Sequence, residues 1–157
     1  MKITDITARD AGRIVPLLRD LHAQHAEEQP LRYPSAPADS DIADWLSDWM
    51  EKDGIQAIAA QSPAGALMGY AIYEIEDQPH LPVMRGGKRI QLHHIAVDPP
   101  FRRLGVGQAL VTEVKSRCQT LGIDTLTTSF AVFDTASAGL MSSMGLQPVT
   151  TVAEWRA

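Results

Sequence analysis

Two glycines, one residue apart, open a long helical pattern just after a proline-broken strand, and this junction constrains the chain more than any other feature. The stretch reads Ile95-Ala96-Val97-Asp98-Pro99-Pro100-Phe101-Arg102-Arg103-Leu104-Gly105-Val106-Gly107-Gln108-Ala109-Leu110. An apolar strand ends at Val97, and Pro99 and Pro100 prevent its continuation. Val106, Leu110, Val114, Cys118 and Leu121 then recur at helical spacing. The first N–H groups of a helix have no intrahelical partner and lie at the positive end of its dipole. Glycines there let an anion approach the backbone closely, and Arg102 and Arg103 add charge and donors. The junction reads as an anion site, with a pyrophosphate as a natural occupant.

It is not a Walker loop, because no Lys-Ser or Lys-Thr pair follows the second glycine. It is also a poor dinucleotide fingerprint. Leu110 stands where a third glycine would be, and Asp124, at about the right spacing for a ribose-binding acid, lies at the start of a strand rather than its end.

The rest of the chain can be placed around this junction. Ile3 to Ile6 reads as a first strand, Thr7 as an N-cap, and Ile14, Leu17, Leu18 and Leu21 as the stripe of a first helix. Pro30, Pro34 and Pro37 make residues 28–39 a loop. Asp39 or Ser40 caps a second helix with the stripe Ile42, Trp45, Leu46, Trp49 and Met50. Strands are expected at Ile55–Ala60, Leu67–Ile75 and Arg89–Val97, then a helix at Gly105–Leu121. Ile123–Val132 reads as a further strand, Thr135–Met144 as a short helix, and the tail Leu146–Trp155 as one or two short strands. The order β-α-α-β-β-β-α-β-α-β predicts a mixed sheet with helices on both faces and a parallel crossover through the helix after the glycines.

The whole chain, residues 1–157, is read as one domain, since that length and 45% hydrophobic residues suffice for a single core. The formal charge of -5 disfavours nucleic acid as a partner. It is unevenly spread: residues 1–80 sum to -8 and residues 81–157 to +3. The lone Cys118 excludes an internal disulfide and a cysteine-built metal site. No signal peptide and no membrane-spanning run is apparent, so a cytoplasmic location is expected. His22 and His25 share a helix face but lack further ligands at suitable spacing, so no metal is expected. The acidic run Asp39, Asp41, Asp44, Asp48, Glu51 and Asp53 reads mainly as a solvated helix face, and Trp45 and Trp49 as core or a subunit contact.

Arg102-x-x-Gly105-x-Gly107 resembles the acyl-CoA signature of the GCN5-related N-acetyltransferases, the GNAT family. Val97-Asp98-Pro99 before it and the helix ending at Met144-Gly145-Leu146 also fit, so the resemblance spans essentially the whole chain. It implies an α/β (α+β) fold whose mixed, mostly antiparallel central sheet is splayed in the middle and flanked by helices. It implies an acetyl-CoA-dependent N-acetyltransferase acting on a primary amine of a small molecule, peptide or protein. A homodimer is possible, since dimers are common in the family.

The resemblance also implies roles for particular residues. Arg102, Arg103, Leu104, Gly105, Val106, Gly107 and Gln108 would hold the pyrophosphate, and the backbone of Ile95, Ala96 and Val97 would pair with the pantetheine arm. Asp134 stands where the family has an asparagine at the co-substrate site. His93 falls where relatives place a carboxylate base, and a histidine is a workable base at neutral pH. His94 follows it, and strand alternation would let only one of the two face the site. His25, Tyr33 and His94 are the candidate acceptor-binding residues. Met141 replaces the tyrosine that often protonates the leaving thiolate. The competing readings are an acyl-CoA-binding module with little catalysis and a nucleotide-binding domain built on the same loop.

Overall fold

The computed structural model describes residues 1–157. Five strands form one sheet in chain order: β1 (Lys2–Ile6), β2 (Ile55–Gln61), β3 (Leu67–Gln78), β4 (Gly87–Val97) and β5 (Leu126–Thr128). β1 to β4 are antiparallel neighbours, and only the β4–β5 pair is parallel. The helices are α1 (Ala11–Glu28), α2 (Asp39–Met50), α3 (Val106–Thr120) and α4 (Thr135–Ser143). The expected parallel crossover through α3 is present.

Strand alternation divides the core in two. Ala57, Ala59, Tyr70 and Ile72 face α1 and α2, meeting Ile14, Leu17, Leu18, Ile42 and Leu46. Ile58, Ala60, Ala71, Tyr73, Ile90 and Leu92 face α3, meeting Val106, Leu110, Val111, Val114 and Cys118. Full burial of each such aliphatic side chain is worth roughly 1.5–3 kcal/mol. Cys118 is buried, as its place on the apolar stripe predicts, and burial pushes its thiol up.

Three expectations need correction. The strand expected at 123–132 shrinks to three residues, because β5 pairs with β4 only from Leu126 to Thr128. The tail after Gly145 forms no strand; Val149, Val152 and Trp155 are exposed there. Neither Asp39 nor Ser40 caps α2. The N-cap is Ala38, and the Asp39 carboxylate instead accepts from Arg19 of α1 at 2.9 Å. No helix is long and apolar enough to cross a membrane.

Candidate active site

The glycine junction is built as an open cradle of amides. Gly105 has φ +79° and is the N-cap of α3. A side chain is strained in that left-handed conformation, which explains a glycine there. Gly107 has a different reason: a Cβ at this position would lie 3.1 Å from Leu140 of α4. From Arg103 to Gln108 no backbone N–H finds an acceptor in the protein; the first intrahelical bond runs from the Ala109 N–H to Gly105 at 2.9 Å. Consecutive unpaired amides at a helix start suit a phosphate. Arg103 is exposed, whereas Arg102 donates through Nε to the Val97 carbonyl at 3.1 Å and ties the loop to β4.

β4 supplies an open edge beside that cradle. Its pairing with β5 stops at Leu92, so residues 93–97 have no neighbour on that side. The sheet is therefore splayed at its middle, as the resemblance implies. On the other side, the Asp98 N–H bonds to Met68 of the β3 segment at 2.9 Å. The alternation of an antiparallel ladder then turns Ala96 toward Tyr70 and leaves the amides of Ile95 and Val97 facing the gap. An amide-bearing ligand fits that edge through Ile95 and Val97. Ala96, grouped with them on sequence, spends its backbone on β3.

A β-bulge places the candidate base. The β3–β4 register pairs Ile72 with His94 and Tyr73 with Leu92, so His93 is the extra residue. The bulge shifts the alternation by one. Leu92, Ile95 and Val97 pack toward α3, while His93 and His94 both reach Trp49 of α2. The expectation that only one of the two histidines faces the site is thus overturned. His93 Nε2 lies 2.8 Å from a carboxylate oxygen of Glu74 on β3. Glu76 follows on the same face, held by Arg89 at 2.6 Å and Gln78 at 3.2 Å.

His94 has a different environment. Its Nδ1 is buried with no hydrogen-bond partner. Burial first, and then the neighbouring His93 and His25, push its pKa down to about 4. The ring is therefore neutral near pH 7 and poorly matched to act as a base there. The only other buried side-chain polar atom without a partner is the Tyr70 hydroxyl, on the same face of the sheet.

Aromatic rings line the approach. Trp45 and Trp49 stack at 5.3 Å, and His94 packs against both. Trp49 packs on the core beneath α2, as one of the two expectations had it, whereas Trp45 remains 49% exposed beside the histidines. The Tyr33 ring meets those of His22 and His25, and His25 also meets Phe133 before α4. His22 Nε2 lies 2.6 Å from the Pro34 carbonyl, pinning the loop between α1 and α2. The tail crosses to this loop: Arg32 pairs with Glu154, and Arg156 donates to the Leu31 carbonyl at 3.2 Å.

Asp134, a co-substrate candidate on sequence, stands at the N-cap of α4. It is buried, and its two oxygens accept from the Ser137 N–H at 2.9 Å and the Ser137 hydroxyl at 2.6 Å, capping α4. Met141 is buried among the α3 side chains and offers no proton. Sequence reasoning missed Glu74, Phe133 and the place of Trp45 beside the histidines. The available signal for Glu74 was the first carboxylate after the apolar run Leu67–Tyr73 of β3.

The profile of the Acetyltransferase (GNAT) family matches residues 18–146. The chain belongs to this family. It is an N-acetyltransferase that moves an acetyl group from acetyl-CoA to an amine. No curated protein sequence matches the chain. The fold is similar to that of the tetramutant of the BH1408 protein from Bacillus halodurans, with TM-score 0.89, 16% identity and 100% of both chains covered. It is also similar to a ribosomal-protein-alanine N-acetyltransferase from Brucella melitensis biovar Abortus 2308, with TM-score 0.73, 20% identity and 100% of both chains covered. A third similar structure is the aminoglycoside N-acetyltransferase AAC(6')-Iy in complex with CoA, with TM-score 0.74, 18% identity, and 99% of this chain and 93% of that one covered.

Proposed function

We propose that this acetyltransferase is a single-domain, cytoplasmic enzyme that acetylates a small cationic amine, with His93 as the base. The carrying observation is the bulge at His93. It sets an imidazole beside the point where β4 loses its β5 partner and the open edge begins. On this reading the amides of residues 103–108 hold the pyrophosphate of acetyl-CoA, and those of Ile95 and Val97 hold its pantetheine arm. The amine nitrogen attacks the thioester carbonyl, a C–N bond forms and the C–S bond breaks. The electron pair leaves on sulfur, and the amine proton passes to His93. No general acid is needed, because a thiol of ordinary acidity leaves tolerably as thiolate; Met141 is consistent with that.

The acceptor reading rests on charge and rings. Asp41, Asp44 and Asp48 on α2 attract a cation, and the Trp45–Trp49 pair offers a face on which a cation or an apolar ring can rest. His25, Tyr33 and His94 complete that wall. Similarity to an aminoglycoside acetyltransferase supports a small-molecule acceptor. The test is turnover of acetyl-CoA against a panel of amines, with His93→Ala alongside. The variant should lose about 10²-fold or more in kcat and keep its affinity for CoA. Wild-type turnover in His93→Ala would remove His93 from the mechanism. CoA binding with no transfer to any amine would instead favour the acyl-CoA-binding module.

A further inference from the structure

We infer that Glu74 is a positioning residue for the transfer: it holds His93 in the tautomer whose Nδ1 is free to accept the proton. The inference rests on the reading of His93 as base. An ionised carboxylate only accepts hydrogen bonds. The 2.8 Å contact with Glu74 therefore requires a hydrogen on His93 Nε2. A neutral imidazole carries one N–H, so its lone pair is then on Nδ1. That nitrogen makes no hydrogen bond within the protein. Trp49 meets the ring edge-on, with centroids 5.5 Å apart and planes at 74°, and limits its rotation.

The arrangement depends on the bulge. In a regular ladder His93 would sit in register with a β3 residue; as an extra residue it is free to lean toward Glu74, which pairs with Gln91. The other groups around the ring do not compete for Nε2. Glu76 is already bound by Arg89 and Gln78. His94 is neutral, and His25 directs its Nδ1 to the Leu21 carbonyl at 2.9 Å. When the amine attacks, the proton moves to Nδ1 and the imidazolium forms against the Glu74 carboxylate. The proton returns to solvent when product leaves, so the atoms balance without another reactant.

The test combines a spectroscopic signature with a kinetic split. Nitrogen-15 NMR of the His93 ring should show a protonated Nε2 and a pyridine-like Nδ1 in the wild-type protein. Glu74→Gln, whose amide can donate or accept, should populate both tautomers. Its kcat should fall about 10- to 100-fold while the KM for acetyl-CoA stays within twofold. A wild-type spectrum with hydrogen on Nδ1 would overturn the inference without need of any variant. So would a Glu74→Gln enzyme with unchanged kcat while His93→Ala is impaired. If His93→Ala itself turns over normally, the base reading fails, and that outcome is distinct from the failure of Glu74 alone.

Discussion

Replacing His94 by phenylalanine should remove a loss of stability that the wild-type protein suffers on mild acidification. The ring, on β4 opposite Ile72, packs against both Trp45 and Trp49, with Nδ1 buried and unpaired. Burial and the nearby His93 and His25 lower its pKa from 6.5 to about 4. Unfolding restores the ordinary value. Between those two values the unfolded chain binds more protons than the folded one, so stability rises with pH across the window and is lost as pH falls through it. At pH 7 the effect is near zero. At pH 5 the unfolded histidine is almost fully charged and the folded one is not, which costs about 2 kcal/mol; below pH 4 the full loss is about 3 kcal/mol.

The assay is urea unfolding at pH 7 and pH 5, followed by fluorescence of the adjacent tryptophans. Wild type should lose about 2 kcal/mol more than His94→Phe between the two conditions, or roughly 4–8 °C in a parallel thermal melt. Carboxylates titrate in both proteins and cancel in the comparison. Equal losses in the two proteins would refute the argument, and with it the case for His94 as a neutral wall rather than a base.

Gly105→Val should destabilise the loop by about 1–2 kcal/mol, because a branched side chain is forced to φ +79°. It should also weaken acetyl-CoA binding at least tenfold by calorimetry, and unchanged affinity would dissociate the cradle from the co-substrate. Asp134→Ala should cost about 1 kcal/mol in chemical denaturation through loss of the α4 cap. Its affinity for acetyl-CoA should not move, and a large drop would restore Asp134 to the co-substrate site.

The elements that the sequence makes legible are those whose signal is local. Helical spacing through Val106, Leu110, Val114 and Cys118 marks α3, and the prolines at 99 and 100 mark the break before it. The tail fails for a physical reason. Leu146, Val149 and Val152 are apolar enough to suggest strands, but a strand needs a ladder, and none reaches them; the exposed ends of Glu154 and Arg156 find Arg32 and Leu31 instead. β5 fails similarly. Its β-branched run is long, yet the divergence of β4 after Leu92 leaves only three residues to pair. At the candidate site, the glycine loop and His93 are visible as residue types. The Glu74 contact is not, because it depends on a one-residue bulge that no spacing rule announces.

The bulge also gives the uneven charge a structural meaning. Because the strands lie in chain order, the acidic half of the sequence supplies β1 to β3 with α1 and α2, and the basic half supplies β4, β5 and α3. The line between the halves is the β3–β4 ladder. The unpaired amides of residues 103–108 and Arg103 lie wholly on one side of it, and the acidic α2 surface lies wholly on the other. On the proposed reading the acetyl group must cross that line, and the residues that meet there are Glu74 from the acidic half and His93 from the basic half. Were the bulge removed by deleting His93, Leu92 and His94 would keep Tyr73 and Ile72 as partners in a regular ladder, and His94 would still face α2. The amide cradle would survive intact. Such a variant should still bind CoA and should transfer nothing, because the two halves would no longer share a proton-accepting group.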